Sequence, residues 1–164
     1  MTKKVSVVAV IVFSLLMVVL VGCSGGSSDA KCSDVISNVI AATEATNFDT
    51  VVSYGEEVYT DNFERLYNFD ISEVNDGVIA YGNESNSADE ISMVHAKNDD
   101  GINDARGYLQ ARIQKRMNDF TGYFPDEVDK LERARVIVQG QYVIMIVCDD
   151  VDSMETAIRT ELSK

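Results

Sequence analysis

The sequence predicts an α+β domain, a two-layer arrangement in which a roughly four-stranded antiparallel sheet is packed by helices in the order α-α-β-β-α-β-β-α. Three observations carry that class. Two pairs of short apolar runs, "GVIAYG" with "EISMVHAK" and "ARVIVQ" with "YVIMIVC", are each separated by a turn-forming stretch. Between the pairs lies one long segment whose apolar residues recur every three or four positions. Amphipathic helical segments stand before the first pair and after the last. No internal repeat or low-complexity segment interrupts this order, so residues 32–164 read as a single globular domain.

Each element has its own signature. Val35, Ile36, Val39 and Ile40 fall at helical spacing, predicting a helix over about 34–45 with Ser33 as its N-cap. "TDNFERLYNF" is a shorter helical piece that packs Phe63, Leu66 and Tyr67. The polar stretch "NESNSAD" then turns the chain between the first two strands. Ala105, Leu109, Ile113, Met117 and Phe120 mark the apolar face of a helix over about 102–120, with Pro125 beyond its end. Gly140 and Gln141 suit a two-residue type II′ hairpin between the last two strands. "YVIMIVC" is apolar on both faces, which puts it inside the sheet and away from an edge. Asp152 and Glu155 have capping-box spacing ahead of a final helix reaching about Leu162.

The first 31 residues speak of location. Lys3 and Lys4 precede an apolar run from Val5 to Val21, broken only by Ser6 and Ser14, which reads as an export signal over residues 1–22. The run is long enough that an uncleaved membrane anchor is the alternative. Leu20, Val21 and Gly22 directly before Cys23 resemble the lipobox of bacterial lipoproteins. That resemblance implies a diacylglycerol on the Cys23 thiol, cleavage ahead of it, and attachment to the extracytoplasmic face of the cell membrane. Residues 23–31 would then be the lipidated cysteine and a flexible tether, "SGGSSDAK", with a root-mean-square reach of about 16 Å.

A wider resemblance rests on "NFERLYNFDISEVNDGVIAYG", "SADEISMVHAK" and "YFPDEVDKLERARVIVQGQYVIMIVCDD" behind such a lipobox. Together they are similar to the domain of unknown function 4358 family of small Gram-positive lipoproteins. The resemblance implies a location and an architecture. It supplies no catalytic residues.

Composition removes several functional classes. A net charge of −13 leaves too few clustered cations for a nucleic-acid partner. His95 is the one histidine, so a serine or cysteine nucleophile would have no other imidazole to use. It shares a strand face with Ile91 and Met93, which favours a partly buried structural role. One histidine with Cys32 and Cys148 makes no zinc spacing, and no cofactor is expected. "AKNDDGINDARG" resembles a calcium loop only at Asn98, Asp100 and Gly101. Alanine and glycine hold its first and twelfth positions, so it reads as a turn with an N-cap. For Cys148, three states stand open: a buried small side chain, a disulfide with Cys32, and a reactive thiol at a helix N-terminus opposed by its aspartate neighbours.

The charges are segregated along the chain. From Glu44 to Glu90 twelve acids accompany only Arg65, whereas from Arg106 to Arg135 seven bases outnumber five acids. Arg106, Arg112, Lys115 and Arg116 lie on the polar side of the long helix. This face either is solvated or pairs with the acidic half of the same domain, or else it meets lipid headgroups or wall phosphates. The expected role is a membrane-anchored, non-catalytic module that binds an envelope protein or a small ligand. The alternative is an envelope hydrolase working through carboxylates that the sequence does not single out.

Overall fold

The structure, a computed structural model, describes residues 30–164. The expected signal peptide 1–22, the lipidation site Cys23 and most of the 23–31 tether therefore lie outside the described residues. The chain begins with helix α1 (Cys32–Thr43), strand β1 (Thr50–Ser53) and helix α2 (Glu57–Tyr67). A 3-10 turn (Ile71–Glu73) then leads into strands β2 (Val74–Tyr81) and β3 (Glu90–Ala96). Helices α3 (Asp99–Phe120) and α4 (Pro125–Glu132) follow, then β4 (Arg135–Gln139), β5 (Tyr142–Val147) and α5 (Val151–Glu161).

The α+β class and the antiparallel sheet are as expected, with a fifth strand added. The order across the sheet is β1-β2-β3-β5-β4, every neighbouring pair antiparallel. β5 lies inside the sheet and is buried along its whole length. β1 escapes a reading of periodicity because only Val52 of its four residues is buried.

The layers number three where two were expected. Ile91 and Met93 of β3 with Ile144 and Ile146 of β5 face α1 and α5. Val94, Val143 and Met145 face the opposite way, toward the aromatic residues of α2 and the apolar stripe of α3. Strands covered on both faces carry no polar alternation, which is why these runs read as continuously apolar.

Local chemistry sets the element ends. Asn98 caps α3, its Oδ1 accepting from the Gly101 N–H at 2.8 Å, so the "AKNDDGINDARG" stretch supplies a two-residue turn and an N-cap and then runs on as the first turns of α3. Pro125 stands at the start of α4, where its fixed φ and missing N–H are harmless. Two expected caps are corrected. α1 begins at Cys32, ahead of Ser33, with no side-chain cap. α5 is capped by Asp150, whose Oδ1 accepts from the Ser153 N–H at 3.0 Å. Asp152 and Glu155 hold Arg135 of β4, at 2.7 and 2.8 Å. Gly140 takes φ +58° in the β4–β5 hairpin while Gln141 stays at negative φ, the pattern of the expected type II′ turn.

Candidate functional site

The polar chemistry gathers at one end of the sheet. β3 starts there with Glu90, opposite Tyr81 of β2 and Val147 of β5, and the loop 82–89 arches over it. Because strand side chains alternate, Glu90 projects to the α2/α3 face along with Ser92 and Val94. Its side chain is 2% exposed. A carboxylate so far from water requires compensation.

Four donors supply it. Arg112 approaches side-on, Nε to Oε1 at 3.2 Å and Nη2 to Oε2 at 2.8 Å. Arg116, one turn further along α3, gives Nη1 to Oε2 at 2.6 Å. Tyr67 of α2 donates its hydroxyl to Oε1 at 2.7 Å. Burial pushes the Glu90 carboxyl up, but the Arg112 bonds and the Arg112 and Arg116 charges outweigh it and hold the group below its usual range. Burial likewise works against the Arg112 cation, and Glu90 more than restores it.

A second buried pair stands beside the first. Lys130 of α4 reaches Asp89 Oδ2 at 2.8 Å and Glu127 at 3.2 Å, with Asp149 at 3.6 Å. Burial disfavours the ammonium, and bonds to Asp89 and Glu127 hold it above its ordinary range. These helices also pin the loop. Arg116 Nη2 donates to the Ser87 carbonyl at 2.7 Å, and the Ala88 N–H donates to Glu127 at 2.6 Å.

Two clefts flank the loop. One, of about 360 Å³, is lined by Arg65, Leu66, Tyr81, Arg112, Arg116 and Phe120 among others. The other, of about 420 Å³, gathers Asp49, Glu84, Asp89, Glu127 and Asp149 around Lys130. Among the described residues, no group of three or more histidines, cysteines or acids is placed to hold a metal ion. No described helix is long and apolar enough to cross a membrane.

The residues singled out by sequence separate into two sets. Arg112 and Arg116 turn inward onto Glu90, the intradomain pairing that charge segregation allowed, and so are not part of an exposed cationic face. Arg106 remains exposed, and Lys115 is an exposed partner of Asp119 at 2.6 Å. His95 is half-buried, stacks on Tyr142 with ring centroids 4.5 Å apart, and meets Gln141 at 3.2 Å. Cys32 and Cys148 are buried and free. The bridge that the sequence left open is ruled out by the fold. The Cys32 N–H donates to Asp76, near the Tyr142 end of β5, while Cys148 follows the far end of that strand. Six residues of strand separate the two ends by about 20 Å, well beyond the Cα spacing of about 7 Å that a disulfide tolerates. Burial, then Asp89 and the neighbouring aspartates, pushes the Cys148 thiol up to about 11, so it is not a reactive thiolate.

Sequence reading gives Tyr67 only a packing role and does not single out Asp89, Glu90 or Lys130. One signal was present: "DE" opens an otherwise apolar strand, and Arg112 and Arg116 repeat at one helical turn.

The profile of the domain of unknown function 4358 family matches residues 52–148, from within β1 to just past the end of β5. The chain belongs to that family. The match takes in Tyr67, Asp89, Glu90, Arg112, Arg116 and Lys130, so every residue of both buried ion clusters except Asp149 falls within the domain of unknown function 4358. Helices α1 and α5, which cover one face of the sheet together, fall outside it. Comparison with curated proteins and with solved structures finds no match.

Proposed function

We propose that this chain is a lipid-anchored module on the extracytoplasmic face of the membrane, attached through Cys23, which binds an envelope protein or a small ligand without catalysing a reaction on it. The observation that carries the non-catalytic part is the state of the charged groups at the polar end of the sheet. A general acid or base works best with a pKa near the ambient pH. Glu90 is instead driven further into its ionised form by Arg112 and Arg116, and Lys130 further into its protonated form by Asp89 and Glu127. Such groups build a wall of fixed charge.

The geometry also suits a module that reaches outward. The Tyr142 hydroxyl donates to the Ala30 carbonyl at 2.9 Å, so the chain leaves toward Cys23 from the end of the sheet opposite the clefts. A short tether would hold that end near the lipid and leave the loop 82–89 facing away.

The test is photocrosslinking in intact cells with the full anchored chain, the crosslinker placed at Glu84 on the loop or at exposed Asn75 near the tether end. The expected result is a discrete partner captured from position 84 and not from position 75. Turnover of an envelope substrate by the purified chain would overturn the reading.

A further inference from the structure

We infer that the cleft between α2, α3 and the loop 82–89 is a binding site for a small monocarboxylate with an apolar body. The inference rests on the binding-module reading and gives it a ligand class. Its first support is an imbalance of charge. Arg112 and Arg116 have side chains only 11% and 12% exposed, yet they share the single carboxylate of Glu90. Asp119, at the rim, is already taken by Lys115. Arg65, at the mouth, makes one bond, to the neutral Asn62 Oδ1 at 2.7 Å, and no ion pair among the described residues. Glu84 is the remaining acid of the lining. With Asp119 offset by Lys115, the three guanidiniums face the two carboxylates of Glu84 and Glu90, leaving an excess of one positive charge.

That excess matches a monoanion. A phosphate dianion would overshoot it, and a neutral ligand would leave it standing. The open donors also favour a planar head, since Arg65 uses only Nη2, on the Asn62 amide, and its remaining N–H groups suit a carboxylate. The second support is the rest of the lining. Leu66, Tyr81 and Phe120 give the cleft an apolar side, and the Arg116 guanidinium lies 4.8 Å from the Phe120 ring centroid. A cleft of about 360 Å³ that sets charged donors beside this apolar side has the size of a small-molecule site. The neighbouring cleft, with five acids around Lys130, repels the same ligand.

The test uses the full chain in lipid nanodiscs, titrated with benzoate while backbone amide shifts are followed. Benzamide, benzylamine and inorganic phosphate serve as the neutral, cationic and dianionic comparisons. Benzoate should shift the amides of Asn62, Leu66, Tyr81 and Phe120 saturably. Arg65→Gln, at an exposed position with one hydrogen bond, should weaken benzoate by about tenfold through loss of a charge-assisted contact. Asp49→Asn, in the acidic cleft, should not weaken it. The inference is overturned if benzoate produces no saturable shifts, if Arg65→Gln leaves its affinity unchanged, or if benzamide, benzylamine or phosphate binds as tightly. A partner crosslinked at position 84 without carboxylate binding would sink this inference and leave the module reading standing. Benzoate binding together with substrate turnover would do the reverse.

Discussion

Arg112 Nε and Nη2 lie 3.2 and 2.8 Å from the two oxygens of Glu90, a side-on pairing closed between residues 22 positions apart and buried beneath the loop 82–89. Glu90 reaches this partner because it opens β3 on the α2/α3 face, and Arg116 joins from the next turn of α3. The pair ties the sheet to the long helix, and through the Ser87 carbonyl it also ties down the loop.

Removing the acid should therefore be costly. Glu90→Ala leaves two largely buried guanidiniums without a counter-charge, and a loss of about 3–5 kcal/mol in urea unfolding is expected. The dependence on pH follows from the direction of the shift. The folded Glu90 carboxyl is held below its ordinary 4.5, so its contribution is fully present above that value and is lost as pH falls through the lower, folded one. Glu90→Gln should flatten this acid limb. A variant as stable as the wild type, with the same acid limb, would deny the pair any structural role.

Gly77 of β2 makes room for Tyr59 of α2. A Cβ at Gly77 would collide with the Tyr59 hydroxyl oxygen, and that hydroxyl is buried with no hydrogen-bond partner among the described residues. Gly77→Ala should destabilise by about 1–3 kcal/mol through overpacking. Tyr59→Phe alone should be neutral or stabilising, because it removes an unsatisfied buried group. Combined with Gly77→Ala, it should recover part of the loss. Additive destabilisation in the double variant would contradict this packing.

The two described cysteines should behave as core side chains. Cys32 and Cys148 should resist iodoacetamide at neutral pH in the native protein and react only on unfolding, giving the same mass with and without reductant. A shift of two mass units on reduction would restore the bridge that the fold excludes.

Capping separates two residues that look alike in sequence. Asn98→Ala should cost about 1 kcal/mol, since its side chain accepts from the Gly101 N–H. Ser33→Ala should cost little, because Ser33 lies inside α1 and caps nothing. Thermal unfolding of the two variants distinguishes them.

The parts of the fold written in short-range periodicity were legible. The apolar stripe from Ala105 to Phe120 defines α3, and the Gly140 turn defines the β4–β5 hairpin. β1 and α4 were not, because "TVVS" buries one residue and "PDEVDKLE" spans only two turns. The second helical layer depends on where α1 and α5 pack, which no local pattern encodes. The site was half legible. Arg112 and Arg116 stood out as cations on one helical face, yet their direction is fixed by Glu90, a partner that only strand parity and register bring beneath them. Asp152 with Glu155 shows the converse. Their spacing is that of a capping box, and a tertiary partner, Arg135, takes them instead.

The central claim is that the buried charges at the polar end of the sheet are fixed and that none is poised to move a proton. Carbon-13 detected titration of the Glu90 side-chain carboxyl in the full chain tests it most directly. The account predicts a midpoint below the ordinary 4.5, rising in Arg116→Gln as one of the two cations is removed. A midpoint near neutrality would contradict it, since Glu90 would then be a carboxyl poised for acid–base catalysis and the enzyme reading would take its place.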